Sequence, residues 1–307
     1  MENINEVLKK FSKKNYDLLG AYNSALKNER FKKLVDILSL KEEVLCKYTS
    51  KLQDATVEIN NCSNCKGLMF CKNEVSGYFY TPMVSDDKLI FIYSPCSYKI
   101  KEDEKNAYKR NIELFSVPSS LQNAKLKDIY TDDKSRIEVI IYINDYIKNY
   151  FKDRKKGIYL TGNFGSGKTY LISALFNELA KEKVNSAIIY FPEFLRSLKS
   201  SFVKSEIGNT YDDKFEYIKK IPLLLIDDIG AENLSLWARD EILGTILQYR
   251  MEENLPTFFT SNLTLEELEL HLELTGNKVD KIKARRIIER IKYLTDEMKL
   301  IGIDRRK

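Results

Sequence analysis

The chain has 307 residues, 43% of them hydrophobic and 31% charged, which suits a soluble, folded protein with room for two domains. No apolar run approaches the length of a membrane span, and the N-terminal MENINEVLKKFSKKN lacks the apolar core of a signal peptide, so neither a membrane nor a secreted protein is expected and the cytoplasm is. The net charge of +5 permits contact with nucleic acid without demanding it, and five clustered cysteines argue against a disulfide framework.

Residues 4 to 56 read as two or three amphipathic helices, with apolar residues at helical spacing in INEVLKKF and FKKLVDILSLKEEVLCKYTSKL. Cys46 falls inside that pattern and is expected as a core thiol. Three cysteines follow in NCSNCKGLMFC, then two strand-like stretches, GYFYTPMV and KLIFIYSPC, the second ending in a fourth. Cys62, Cys65, Cys71 and Cys96 give C-x₂-C-x₅-C-x₂₄-C, the donor set of a closed, structural Cys₄ zinc site. His271, the single histidine, is far along the chain and is not expected as a ligand. Zinc would supply folding energy that so small a module cannot draw from its own core.

The charged run YKIKEDEKNAYKRN and the loop-like SVPSS place a domain boundary near residues 100 to 120. The expected organisation is an N-terminal helical and zinc domain over 1–105, a linker over 106–135, and an α/β domain over 136–307 that opens on the helix SRIEVIIYINDYIKNYFKD. From residue 157 strands and helices alternate: GIYLTG, KTYLISALFNELAKEK, SAIIYF, PLLLIDDIG, a helix from about Trp237 to Met251, TFFTSN, and a helix opened by a capping box at Thr264 and Glu267. Continuous apolar strands between helices imply a parallel sheet covered on both faces.

GNFGSGKT, residues 162 to 169, matches G-x-x-x-x-G-K-[ST] between a strand and a helix, the context that motif requires. Its glycines let backbone N–H groups face phosphate oxygens at a helix N-terminus. Gly162, Asn163, Phe164, Gly165, Ser166, Gly167, Lys168, Thr169 and Tyr170 are therefore the candidate contacts for ATP or ADP, with Lys168 on the β- and γ-phosphates and Thr169 on Mg²⁺. LLLIDD brings Asp227 to the sheet edge as the second Mg²⁺ group, with Asp228 placed to orient or deprotonate the attacking water. Asn262, ending FFTSN, is expected beside them on the γ-phosphate or the water. In the basic C-terminal stretches, Arg290 or Arg286 is a candidate to reach a neighbouring subunit's γ-phosphate, and Arg305 or Arg306 to read the nucleotide bound by its own chain.

With those residues in place, the chain resembles the AAA+ helicase loaders of the DnaC/DnaI type over nearly its whole length. The resemblance rests on GNFGSGKTYLISAL, YFPEFLRSLK, LLLIDDIGAE, FFTSN and RIIERIKYL, and on the cysteine-bearing N-terminal domain. It implies an AAA+ P-loop ATPase with a reduced lid, since only seventeen residues follow Arg290. It also implies a partner, the replicative DnaB-type hexameric helicase, bound through the N-terminal domain and placed on single-stranded DNA. ATP would govern self-association through the ATPase domain, DNA contact and release. The family's Walker residues fall on Gly162, Gly167, Lys168, Thr169 and Asp227, its sensor 1 on Asn262 and its arginine finger on Arg290. YFPEFLRSLKSSF offers Tyr190, Phe194, Arg196, Lys199 and Phe202 as candidate DNA contacts. One departure stands out: relatives carry a histidine shortly after the third cysteine, where this chain has KNEVSGYFYTP. The competing readings are an IstB-type transposition helper ATPase, a small-molecule P-loop kinase, and a zinc module that binds nucleic acid beside a degenerate ATPase.

Overall fold

The computed structural model describes residues 18–85, 88–131, 133–153, 155–204 and 210–305, and the chain divides into two compact units, Met1–Asn106 and Ala107–Lys307. The expected helix over INEVLKKF, Arg306 and the side chain of Phe202 lie outside the described residues. No helix among the described residues is long and apolar enough to cross a membrane.

The first unit is helical with one hairpin. Helices α1 (Leu18–Ala25), α2 (Glu29–Leu38), α3 (Glu42–Leu45) and α4 (Thr49–Ser63) precede strands β1 (Tyr78–Ser85) and β2 (Lys88–Pro95), and α5 (Ser97–Asn106) closes the unit. Asn28 caps α2 by accepting from the Arg30 and Phe31 N–H groups. The core gathers Tyr22, Phe31, Val35, Leu45, Leu52 and Leu89, and Cys46 is buried among them as expected. The buried Glu58 of α4 accepts from the Tyr80 N–H at 2.6 Å and the Glu74 N–H at 3.3 Å, fastening that helix to the hairpin.

The second unit is a six-stranded parallel sheet in the order β3-β5-β6-β7-β4-β8, with β3 at Ile112–Phe115, β4 at Gly157–Gly162, β5 at Ser186–Tyr190, β6 at Leu223–Asp227, β7 at Thr257–Ser261 and β8 at Thr295–Leu300. The helices are α6 (Lys134–Asn149), α7 (Lys168–Lys181), α8 (Phe191–Lys204), α9 (Thr210–Lys220), α10 (Gly244–Glu252), α11 (Leu265–Leu272) and α12 (Lys278–Leu294), with a π-helical turn at Ala238–Leu243 ahead of α10. Along β6, Leu223 and Leu225 enter one buried cluster with α6 and α7 residues, while Leu224 and Ile226 enter the other with residues of α8, α10 and α12. Side chains alternate across a strand, so a fully apolar strand feeds two cores at once.

Two expectations change here. The stretch 106–135, expected as a linker, belongs to the second unit: β3 pairs in parallel with β5, Ile112 beside Ser186, and the buried Asn177 of α7 donates to Leu121 O at 2.9 Å and Ala124 O at 2.8 Å. Its loop-forming SVPSS is a short bend inside a packed segment. The residues after α12, for which no element was expected, include β8, which pairs with β4 from Gly157 beside Thr295 to Gly162 beside Leu300. As an edge strand, β8 is buried only at its ends, Thr295 and Leu300, half-buried at Met298 and exposed elsewhere, and has no apolar run to betray it.

Candidate nucleotide-binding site

The C-terminal ends of β4, β6 and β7 bring the three motifs to one edge of the sheet, where ligands bind in such folds. Gly162 ends β4 with a positive φ, and a Cβ there would lie 2.0 Å from Leu300 O, so the close approach of β8 requires glycine. The loop then turns through Gly165 and Gly167, and α7 starts at Lys168.

Lys168 is 8% exposed, and its Nζ donates to Gly162 O and Asn163 O, both at 2.9 Å, and to Asn262 Oδ1 at 2.8 Å. Asn262 Nδ2 donates in turn to Asp228 Oδ1 at 3.1 Å, so one amide joins the lysine to the second acid. Thr169 Oγ1 and Thr260 Oγ1 each donate to Asp227 Oδ1 at 2.6 Å. Burial pushes the Asp227 carboxyl above its usual range, with the neighbouring Asp228 acting the same way and the two hydroxyls and Lys168 opposing. Asp228 sits at φ 57°, outside the strand, and its N–H donates to Thr260 Oγ1 at 2.9 Å.

Thr169 and Asp227 thus converge as hard oxygen donors, the chemistry Mg²⁺ takes. Lys168, Asn262 and Asp228 form the other side of the same group.

These residues line a cavity of about 690 Å³, a size suited to a small ligand. Phe164 and Tyr170 line it, and Tyr170 Oη accepts from the Lys125 N–H at 3.2 Å. Ser166 is buried within the loop, its Oγ donating to Asn163 O at 2.8 Å. Arg305 also lines the cavity and lies over the Tyr130 ring, 4.3 Å from its centroid. Sequence reasoning missed further lining residues, Pro118, Leu121, Ile129, Tyr130 and Arg136. No local pattern marks these residues, because their role comes from the pairing of β3 and the packing of α6.

Other candidates fall elsewhere. Arg290 and Arg286, on α12, share a separate hollow of about 460 Å³ with Met251 and Tyr293. Arg290 Nη1 donates to Gly244 O at 2.9 Å, and burial together with the adjacent Arg286 lowers its pKa. Tyr190 lines the nucleotide cavity and not a DNA-facing surface, since it ends β5 directly beside Asp227. Phe194 is 1% exposed in the core and cannot stack on a base. Arg196 is exposed and pairs with Glu193, and Lys199 Nζ lies over the Trp237 ring at 5.8 Å.

In the first unit, Cys62 Sγ accepts from Asn73 Nδ2 at 3.4 Å and Cys71 Sγ from the Gly77 N–H at 3.3 Å, while the Cys96 N–H donates to Gly77 O at 2.8 Å. Burial raises the Cys62 thiol pKa, and Cys96, Cys71 and Cys65 add to the rise; the Gly77 N–H lowers that of Cys71. Four thiols are the donors zinc prefers, and N–H groups directed at sulfur favour thiolates. As placed, no group of three or more such residues among those described is arranged to hold a metal ion. His271 lies in the second unit, 3.6 Å from Glu232.

Comparison with known proteins agrees with this geometry. Residues 130–298 match the family described as IstB-like ATP binding protein. The replicative helicase loader DnaI of Bacillus subtilis (strain 168) is 36% identical over 268 residues, covering 86% of this chain and 85% of that protein. A solved structure of DnaI matches 65% of this chain and 99% of its own with 42% identity and a TM-score of 0.56. A candidate primosome component from Streptococcus pyogenes serotype M3 matches 66% of this chain and all of its own with 37% identity and a TM-score of 0.54.

Proposed function

We infer the function from one premise: this chain belongs to the DnaI family of replicative helicase loaders, within the IstB-like ATP binding proteins. It is an ATP-dependent loader of the replicative hexameric helicase. The observation that carries this reading is the extent of the likeness to DnaI. Its 268 aligned residues are more than the second unit holds, so the likeness reaches into the first unit, which the IstB-like match at 130–298 does not touch. That reach favours a loader over a transposition helper.

In this reading the second unit hydrolyses ATP. Lys168 holds the β- and γ-phosphates, Thr169 and Asp227 hold Mg²⁺, and Asp228, steadied by Asn262, orients the attacking water. Mg²⁺, when bound, would offset charge on the transferring phosphoryl group. The support is the arrangement of Lys168–Asn262–Asp228 and Thr169–Asp227 around one cavity. Arg305 contacts the nucleotide of its own chain. Arg290 serves a neighbouring subunit, a role supported by its place outside the cavity that its own Lys168 lines. Self-association and contact with single-stranded DNA belong to the same proposal, with Arg196 and Lys199 the exposed candidates on α8.

The first unit docks on the DnaB-type helicase. Zinc held by Cys62, Cys65, Cys71 and Cys96 braces it, a reading supported by the N–H donors on Cys62 and Cys71 and by the mutual influence of the four thiols.

Co-purification with the cognate hexameric helicase tests the whole. The full chain should capture the helicase, and residues 1–105 should do so without ATP. Capture of a transposase in place of the helicase would sink the loader reading.

A further inference from the structure

Two carbonyls of the phosphate loop are held by residues outside its motif. Gly165 O accepts the Arg305 N–H at 2.9 Å, and Ser166 O accepts Arg136 Nη2. A trans peptide is planar, with its carbonyl and the following N–H on opposite sides. Fixing these two carbonyls therefore fixes the opposite direction for the N–H groups of Ser166 and Gly167, in a loop whose use is to present N–H groups to anions.

Arg136 lies in the first turn of α6, 3% exposed, and still lines the nucleotide cavity. Asp133 orients it, accepting from the Arg136 N–H at 2.7 Å and from Nε at 3.2 Å. The same Asp133 Oδ2 is 4.0 Å from Arg305 Nη2. Residues 301–305 run alongside. Ser135 Oγ donates to Ile301 O and accepts the Ile301 N–H, both at 3.1 Å, and Asn163 Nδ2 donates to Gly302 O at 3.4 Å. A Cβ on Gly165 would meet Asp304 Oδ1 at 1.8 Å, so the segment sits directly against the loop.

We propose that Arg136 is a positioning residue of the nucleotide site, and that residues 301–305 form a strap which Ser135 and Asp133 hold across the phosphate loop to complete that site. The proposal rests on the ATP reading and extends it to residues that no motif marks. Arg136 sets the direction of the Gly167 N–H, and the strap sets that of Ser166 and lays Arg305 on Tyr130 at the cavity wall. Neither acts on the transferring phosphoryl group, so both change nucleotide affinity more than the rate of the bound complex.

The test is equilibrium binding of fluorescent ATP and ADP to the full chain, to Arg136→Gln, to Arg136→Lys, and to a chain ending at Ile301, with kcat measured at saturating ATP. Arg136→Gln and the truncation should each weaken both nucleotides by about tenfold, and Arg136→Gln should keep kcat within about twofold. Arg136→Lys should recover part of the loss, because a single cationic donor still reaches a carbonyl. Combining Arg136→Gln with the truncation should cost less than the two losses added, as expected of parts of one device. Undiminished affinity in the truncated chain overturns the proposal, and so does undiminished affinity in an Arg136→Gln protein with the wild-type melting profile. Should Arg136→Gln not fold, Ser135→Ala, which removes both hydrogen bonds to Ile301 and leaves Arg305 in place, decides in its stead, and undiminished affinity there overturns the strap. A full chain that binds neither nucleotide overturns the ATP reading and this proposal together, a result separate from failure of the variants.

Discussion

Thr169 Oγ1 donates to Asp227 Oδ1 across 2.6 Å, joining the first turn of α7 to the C-terminal end of β6. Fifty-eight positions separate the two residues in the chain, and the one strand lying between β4 and β6 supplies a second hydroxyl, Thr260, to the same oxygen. An acid held by two hydroxyls and a neighbouring lysine is aimed before any ligand arrives, and preorganised charge of this kind is where much of an enzyme's rate enhancement comes from.

Lys168→Ala removes the cation that Asn262 and two loop carbonyls orient. Steady-state ATP turnover should fall by about 10²-fold or more, the scale set by loss of one preorganised group. Unchanged turnover would dismiss the site assignment.

Asp227→Asn should abolish Mg²⁺-dependent turnover and yet raise the melting temperature of the nucleotide-free protein. The folded state holds the Asp227 proton more tightly than the unfolded chain does, because burial raises its pKa above 3.8. The stability of the nucleotide-free wild type therefore falls as pH rises above 3.8 through the folded value, and the substitution removes that contribution. Thermal melts across pH, with and without nucleotide, check both the sign and the trade of stability for function.

An Arg290→Ala protein mixed with Lys168→Ala should regain ATPase activity that neither has alone. One of the two orientations of mixed interface pairs an intact phosphate loop with an intact finger, so at equal ratios the recovery should be about a quarter of wild type or less if single neighbours act. No recovery at any ratio would remove Arg290 from that role.

Asp280, in the first turn of α12 that Asn277 caps, holds the fully buried Arg239, which also reaches Asp240 and Leu272 O. The Thr275 N–H and Arg239 keep the Asp280 carboxyl well below its usual range, so the stability it contributes is present above 3.8 and is lost as pH falls toward the folded value. Asp280→Ala would leave the buried guanidinium with Asp240 as its remaining carboxylate, at a cost of about 3 kcal/mol in denaturant melts. Replacing Arg239 and Asp280 together by apolar residues should recover much of it.

One zinc per chain should be found by elemental analysis of the purified protein, and Cys96→Ser should lose it. Chelation should then unfold the first unit while nucleotide binding by the second persists. A metal-free protein that melts as a single well-folded species would retire the zinc reading.

Much of the second unit was legible because its signals are local. An apolar strand running into GNFGSGKT, another running into two aspartates, and a capping box at Thr264 each declare themselves within a dozen residues. β3 and β8 did not, because one is four residues long and the other is a charged edge strand, and both are defined by what they pair with. Arg136 and Tyr130 were invisible for the same reason: neither stands near a motif until α6 packs beside the phosphate loop. Tyr190 and Phe194 looked like base-stacking aromatics because composition alone does not say which way a side chain faces. The structure gives one to the nucleotide cavity and the other to the core.

The pairing of Leu300 with Gly162 carries a consequence for how the protein is made. The strand that delivers the phosphate loop lies between β7 and β8, and β8 is the last of the described strands to leave the ribosome. A nascent chain that has already synthesised GNFGSGKT must wait for more than a hundred further residues before β4 gains its second neighbour. Contacts between residues so distant in sequence form slowly and late. The phosphate-loop strand is therefore completed only once β8 has been made, and in the proposed reading a product cut short before β8 would keep a docking unit with no means of governing its own release.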